Sequence, residues 1–272
     1  EIQRHTITRV DHTYTETSDD KQDWDTLMDA ILTSIHGGKM TKVVSSREVE
    51  FTSPTPYQVV SILDRLVENN PNCFIFGYTF VGASPEILVR HRGDEILSYA
   101  LAGTAPKFGP KAWTKEQFLG DHKNRVEHEI VRDRIVHTMR QVTDEISVGE
   151  TGIMELSRLY HLRTIITAKD STKSLIEWGQ LLHPTPALGG EPREAAMDLL
   201  AKYEAHERGM YAAPFGFMKD MGDGILVVAI RSALIIGHHL YAYAGCGVVS
   251  ESNSDEEYEE TINKMGTILD AL

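Results

Sequence analysis

A glycine-containing turn followed by an acidic helix, within residues 244–264, constrains the fold more than any other stretch of this chain. Gly245 and Gly247 end an apolar run, and glycine permits positive φ angles and close approach of a ligand to the backbone. Ser252 or Ser254 is the predicted N-cap of the helix that follows. The first turn of this helix is acidic, which suits the positive end of the helix dipole. These features predict a strand, a tight turn and a helix that buries one face against the body.

Two faces of the predicted helix differ in character. Glu257, Glu260 and Lys264 recur at i, i+3 and i+7, so they share one face. A separate stripe is apolar and is predicted to be buried: Tyr258, Ile262, Met265, Leu269 and Leu272. On spacing alone, the charged face is typical of ion pairs in solvent rather than of a binding site.

Length and charge limit the class of protein. A chain of 272 residues can form one large domain or two small ones. Its net charge of -13 argues against general binding to nucleic acid or to a membrane surface, so an anionic substrate needs a local cation. Cys73 and Cys246 do not make a disulfide framework, and residues 1–272 show no signal-peptide pattern and no long apolar run. We therefore expect a cytoplasmic protein, and we expect it to be a monomer.

Periodicity and breaker residues predict the elements. Helices are predicted at 23–36, 57–68, 115–145, 173–182 and 192–204. Strands are predicted at 41–51, 73–78, 86–91, 95–101, 224–236 and 239–244. Residues 1–22 are polar and are predicted to form an extended arm or linker, followed by one α+β domain over 23–272. Because the chain begins at Glu1 without Met, we expect it to be the C-terminal part of a longer polypeptide or a trimmed one.

Three charged residues stand in positions where chemistry is conceivable. Lys42 opens a strand, where a lysine more often guards a sheet edge. Glu86 ends a Gly-Ala-Ser-Pro-Glu stretch, and in isolation it is equally a loop carboxylate that caps its own turn. Glu127 lies in register with Val131 and Ile135, and a carboxylate in an apolar stripe is costly unless it is paired or binds a metal. A lysine acts as a base only if its pKa is lowered, and a glutamate acts as an acid only if its pKa is raised.

The motifs between Lys42 and Leu272 resemble, in the same order, those of the chorismate-utilising enzymes. They read K-V-V-S-S-R from 42, G-A-S-P-E to 86, A-L-A-G-T to 104, E-H-E from 127, Y-H-L-R-T to 164, and an A-G-C-G turn at 244–247 leading into E-x-x-E-T-x-x-K. The resemblance implies an α+β fold of antiparallel sheets wrapped by helices, like that of anthranilate synthase component I. It also implies that the N-terminal part of a typical member is missing from this chain.

The resemblance assigns roles to the charged residues. Lys42 corresponds to the general base that activates water in isochorismate and salicylate synthases, and anthranilate and aminodeoxychorismate synthases have no lysine there. Glu86 corresponds to the general acid for the departing hydroxyl. Glu127 and Glu260 correspond to ligands of Mg²⁺, with Glu257 acting through water.

The resemblance also implies a set of substrate-binding residues: Gly103, Thr104, His161, Ala187, Leu188, Tyr211, Arg231, Gly245 and Lys264. Ala102 stands where aminodeoxychorismate synthases carry a lysine that attacks the substrate, which disfavours amination. The pair Ala187-Leu188 is the form typical of isochorismate synthases, whereas salicylate synthases tend to have Thr-Val. Ser45, Ala100 and Cys246 depart from the family pattern, and none of these departures removes a functional group.

The function implied is that of an isochorismate synthase, most similar to the menaquinone-pathway type, with chorismate as substrate and Mg²⁺ as cofactor. A salicylate synthase and an anthranilate synthase component I are the alternatives within the family. A catalytically inactive chorismate-binding or regulatory domain is the alternative from another class. The sequence leaves open whether the product enters menaquinone or a catechol siderophore.

Overall fold

Two antiparallel sheets form the framework of the computed structural model, which describes residues 7–18 and 20–272. The strands are β1 Thr15–Glu16, β2 Lys42–Thr52, β3 Phe74–Gly77, β4 Phe80–Ser84, β5 Ile87–Arg92, β6 Glu95–Pro106, β7 Ile146–Val148, β8 Gly152–Glu155, β9 Leu159–Lys169, β10 Gly190–Glu191, β11 Pro214–Met218, β12 Gly224–Val228, β13 Ser232–Ile236 and β14 His239–Val248. The helices are α1 Lys21–His36, α2 Val59–Asn69, α3 Lys115–Gly120, α4 His122–Arg140, α5 Leu175–Leu182, α6 Arg193–Tyr203 and α7 Ser254–Leu269.

The strand order defines a first and a second sheet. The first sheet runs β1-β2-β14-β13-β4-β3, with β10 paired to β2. The second sheet runs β11-β12-β5-β6-β9-β7, with β8 paired to β9. Every strand pair is antiparallel, and helices pack on both sheets. This confirms the predicted α+β class with antiparallel sheets and surrounding helices.

A core of apolar side chains joins the two sheets. It connects Phe80 and Tyr243 of the first sheet to Ile96 of the second, and includes Val131 of α4 and Trp178 of α5. Burying a side chain of this size contributes about 1.5–3 kcal/mol to the free energy of folding. Since α4 is held across β6 and β9 by this core, the position of Glu127 one turn before Val131 is fixed as well.

The chain passes directly from one sheet to the other at two places. β4 belongs to the first sheet and β5 to the second, and only Pro85 and Glu86 separate them. β12 belongs to the second sheet and β13 to the first, separated by residues 229–231. The single strand predicted over 224–236 is therefore wrong. Arg231 has a positive φ of 54°, which ends the strand geometry that the β-branched pattern indicates.

Local capping corrects two predictions about helices. The helix predicted over 115–145 is two helices, because Asp121 has an extended ψ of 125° and its side chain accepts a hydrogen bond from Asn124 N at the start of α4. The N-cap of α7 is Asn253, whose side chain accepts from the amides of residues 255 and 256, rather than Ser252 or Ser254.

The buried face of α7 also differs from the predicted stripe. Ile262 is 50% exposed, whereas Glu257 and Thr261 are buried. Met265 is buried, as the stripe predicts. The face of α7 that packs against the body is thus partly polar. Glu257 can be buried there because Lys123 of α4 pairs with it.

The N-terminal segment contacts the body where it is described. β1 pairs with β2, and the amide of His12 donates to the carbonyl oxygen of Leu272. The predicted arm over 1–22 lies partly outside the described residues, and its separation from a catalytic domain stays a prediction. Cys73 and Cys246 are free thiols, as expected. None of the described helices combines the length and the apolar content needed to cross a bilayer.

We expect Asp121→Ala to lower the free energy of unfolding by about 1 kcal/mol, because α4 loses its N-cap acceptor. Urea denaturation measures the change. Asp133→Ala, on the same helix with a side chain that is 67% exposed, is the matched control and should change stability by less than about 0.5 kcal/mol. Equal losses in both variants contradict the capping role.

Candidate active site

A cavity between the two sheets collects most of the residues that the sequence singled out. Eleven of them line it: Glu86, Gly103, Thr104, Glu127, His161, Ala187, Leu188, Tyr211, Arg231, Gly245 and Lys264. They come from α4, α7, strands of both sheets and the two passages between the sheets. The open volume of the cavity is only about 60 Å³, so a ring-sized ligand requires its lining side chains to move.

Lys42 lies just behind the wall of this cavity. Its Nζ is 3.2 Å from Oε1 of Glu127, and both side chains are buried. Gly247, on β14 beside Lys42, leaves the space that this pair occupies. A Cβ on Gly247 would lie 2.1 Å from Oε1 of Glu127 and 2.7 Å from Cε of Lys42. Gly245 and Gly247 lie within β14, so the tight turn predicted there is wrong, and Gly247 is required by an ion pair within the protein.

The two residues predicted to act as base and acid have pKa values shifted in opposite directions. Burial lowers the pKa of Lys42, and the Glu127 carboxylate offsets only part of this change. Burial raises the pKa of Glu86 to about 8, although Lys42 and Arg231 oppose the shift. Oε1 of Glu86 has no hydrogen-bond partner within the described part of the chain. At neutral pH Glu86 thus carries a proton that it can donate into the cavity.

A second group of side chains presents a guanidinium to the same cavity. Nη2 of Arg231 lies 2.6 Å from Nε2 of His161, and Nδ1 of His161 lies 3.0 Å from the carbonyl oxygen of Gly103. Burial and the charge of Arg231 hold the pKa of His161 well below its ordinary value, so the ring is neutral. Its Nε2 accepts from Arg231, and its Nδ1 carries the proton. Nη1 of Arg231 is buried without a partner among the described residues, which favours an anionic ligand there.

The irregularity of β6 at Gly103 is held from the side of α4. Gly103 has a φ of 78° at an irregularity of β6, and the amide of Thr104 donates to Oδ1 of Asn124 over 2.9 Å. The Thr104 amide is therefore already occupied. Its hydroxyl lies 3.2 Å from Nδ1 of His161, and Thr104 lines the cavity.

Three carboxylates on α4 and α7 each contact one lysine. Glu127 pairs with Lys42 as described, Oε1 of Glu260 is 2.6 Å from Nζ of Lys264, and Glu257 pairs with Lys123. Glu257 is buried in this contact and is absent from the cavity wall. Glu260 lines a neighbouring cavity of about 690 Å³ that is more open to solvent.

The donor set fits Mg²⁺ in its chemistry. No three His, Cys, Asp or Glu residues form a ready metal-binding group within residues 7–18 and 20–272. However, Mg²⁺ is usually held by one or two carboxylates together with waters and substrate oxygens. Glu127 and Glu260 could supply these two carboxylates, and the lysine ammonium groups that now contact them mark positions where a cation is stabilised.

The side chains that support the site were not predicted from the sequence. Arg208 donates to the carbonyl oxygens of Leu188 and Val44 over 2.7 and 2.8 Å, and it pairs with Glu204. It therefore ties the loop that carries Leu188 to β2. Lys123 and Asn124 were also missed. Lys123 lies one helical turn before Glu127, and that i, i+4 spacing is the signal that could have found it.

One cavity thus brings together a protonated carboxyl group and a guanidinium with one unpartnered nitrogen, and a buried amine lies just behind its wall. A family model described as chorismate binding enzyme matches residues 2–272. The chain belongs to this family.

Named relatives agree with the family. The isochorismate synthase MenF of Bacillus subtilis is 34% identical over 263 residues, covering 93% of this chain and 56% of the relative. The salicylate biosynthesis isochorismate synthase of Pseudomonas aeruginosa is 35% identical over 263 residues, covering 93% of this chain and 55% of the relative. The chain thus spans about half the length of these curated relatives.

Solved structures agree with the fold. MenF, the menaquinone-specific isochorismate synthase from Escherichia coli, matches with a TM-score of 0.86 and 27% identity over 98% of this chain and 66% of that one. Anthranilate synthase component I from Streptococcus pneumoniae matches with a TM-score of 0.80 and 21% identity, covering 95% of this chain and 59% of that one. This confirms the predicted likeness to the fold of anthranilate synthase component I.

The raised pKa of Glu86 predicts a pH-dependent stability. The native carboxyl keeps its proton up to about pH 8, whereas an unfolded one loses it near the ordinary glutamate pKa of 4.5. The stability that this group contributes is therefore full below pH 4.5 and is lost as pH rises through 8. Glu86→Gln has no such ionisation. As pH rises from about 4 to 9, we expect the free energy of unfolding of the variant to increase by about 5 kcal/mol relative to that of the wild type.

Urea denaturation of both proteins across this pH range measures the difference. Glu150→Gln, which removes an exposed carboxylate, is the control and should run parallel to the wild type. Parallel curves for Glu86→Gln as well contradict the shifted pKa.

Proposed function

We propose that this protein is an isochorismate synthase that converts chorismate to isochorismate. The single observation that carries the proposal is the pair formed by Lys42 and Glu86. Both are buried and their charges act on each other, and burial lowers the pKa of Lys42 and raises that of Glu86 to about 8. These are the directions of shift that suit a general base and a general acid. The activities of the named relatives support the same reaction.

The reaction exchanges one hydroxyl group of the ring for another. Lys42 takes a proton from a water molecule whose oxygen bonds to C2 of chorismate. The ring double bonds shift, the bond from C4 to its hydroxyl oxygen breaks, and Glu86 protonates that oxygen so that it leaves as water. Lys42 ends protonated and Glu86 ionised, and proton exchange with solvent restores both. Each acid–base contribution accelerates such a reaction by roughly 10²–10⁴-fold.

Binding of the substrate uses the remaining groups of the cavity. Nη1 of Arg231 is the free donor for a carboxylate, and Tyr211 and Thr104 supply hydroxyl groups on the cavity wall. Ala187 and Leu188 provide apolar contact for the ring. Glu127 and Glu260 would hold Mg²⁺, with Glu257 beyond them, and the ion would supply positive charge for the ring carboxylate.

Product analysis distinguishes this proposal from its alternatives. We expect chromatography after incubation with chorismate and Mg²⁺ to give isochorismate in equilibrium with chorismate. Salicylate with pyruvate would instead indicate a salicylate synthase, and ammonia-dependent anthranilate would indicate an anthranilate synthase component I. Chorismate binding without turnover would indicate a binding or regulatory domain. The menaquinone-pathway type, the cytoplasmic location and the monomeric state remain expectations.

Lys42→Ala should lower kcat by roughly 10²–10⁴-fold, because the base that activates water is removed. Binding of chorismate in the presence of Mg²⁺ should persist, and isothermal titration calorimetry measures it. Lys39→Ala, an exposed lysine close by, is the control and should retain wild-type turnover. Substantial isochorismate formation by Lys42→Ala rules out Lys42 as the base.

A further inference from the structure

Lys123 differs from the other two lysines that contact the buried carboxylates. The side chain of Lys42 is fully enclosed, and Nζ of Lys264 is also held by the carbonyl oxygen of Gly245 over 2.7 Å. Lys123 is 22% exposed and lines the open cavity next to the site. It is therefore the most exposed of the three lysines, and the more open cavity gives its ammonium a path along which to leave.

The charge of Lys123 acts on all three carboxylates. Its ammonium contacts Glu257, and Glu260 and Glu127 also interact with it. Lys123 is therefore a cation held among three carboxylates. The side chain comes from the first turn of α4 and reaches α7, and it joins the two helices that carry the carboxylates.

We propose that Lys123 is a built-in counter-cation, which neutralises Glu257 in the metal-free protein and competes with Mg²⁺ for the carboxylates of α4 and α7. Mg²⁺ binding then requires Lys123 to release Glu257 and turn toward the open cavity. This inference rests on the proposed function, because it takes Glu127 and Glu260 as the ligands of Mg²⁺.

Two physical reasons support the competition. Buried carboxylates without any counter-charge are strongly unfavourable, so removing Lys123 leaves Glu257 to be neutralised by another cation or by a proton. An ammonium and a divalent ion within a few ångströms repel each other, and partial burial leaves that repulsion poorly screened. The open cavity of about 690 Å³ has room for the displaced side chain.

The test measures Mg²⁺ affinity by isothermal titration calorimetry, without substrate. Lys123→Met should bind Mg²⁺ about tenfold more tightly than the wild type, because a competing charge is lost. Lys123→Arg keeps the charge and should bind as the wild type does. Lys111→Met is the matched control, since Lys111 lines the same open cavity but pairs with the exposed Glu259. The Mg²⁺ affinity of Lys111→Met should stay within about twofold of the wild-type value.

Thermal denaturation gives a readout that does not depend on turnover. In the presence of a chelator, Lys123→Met should melt below the wild type, and millimolar Mg²⁺ should restore most of the loss. Lys111→Met should show neither effect. A purely structural role for Lys123 predicts a loss of stability that Mg²⁺ does not restore.

A labelling experiment on the wild-type protein covers the case in which Lys123→Met does not fold. Mg²⁺ should increase acylation of Lys123 by a small amine-reactive reagent several-fold, as read by peptide mass spectrometry, while Lys111 stays constant. This inference alone is overturned if Lys123→Met binds Mg²⁺ with wild-type affinity and Mg²⁺ leaves the reactivity of Lys123 unchanged. Absence of Mg²⁺ binding in every variant overturns the proposed metal as well.

Discussion

The buried ion pair between Lys42 and Glu127 is the interaction on which the rest of the site depends. Two charges removed from water are unfavourable unless they are paired closely, and removing either partner leaves the other uncompensated. Lys42 comes from the first sheet, and Glu127 comes from a helix packed on the second sheet. The pair therefore fixes how the two halves of the cavity meet, and Gly247 exists as glycine because nothing larger fits beside it.

The functional groups lie at interruptions of the strands. Glu86 and Arg231 occupy the two places where the chain leaves one sheet for the other, and Gly103 occupies an irregularity of β6. A residue within a regular ladder uses its backbone groups for pairing and points its side chain to one face. An interruption releases a residue from this pattern, so its side chain can turn into the space between the sheets.

The same burial gives the cavity its reactivity. Removing water disfavours the charged form of every group, which lowers the pKa of Lys42 and raises that of Glu86. Glu127 behaves differently because Lys42, Lys123 and Lys264 surround it, and its pKa falls despite burial. The site thus separates carboxyl groups into one that keeps its proton and one that stays ionised. The two pKa values differ because different cations lie close to each carboxyl group.

The sequence predicted some elements and residues correctly and others wrongly. The register of Glu127 with Val131 and Ile135 correctly predicted a buried carboxylate, and the motifs correctly predicted the family and its fold. The strand over 224–236 and the helix over 115–145 were wrong, because apolar periodicity continues through a change of sheet or a capping residue such as Asp121.

Only the tertiary structure decided which charged side chains contact one another. The sequence determined which faces are apolar, which residues carry charge, and which motifs accompany them, since these follow from local spacing. It did not determine that Glu257 would be buried against Lys123, or that Ile262 would be exposed on the same helix. Those outcomes depend on groups that are distant in the chain, and the energy of a buried charge is set by the neighbours that folding brings to it.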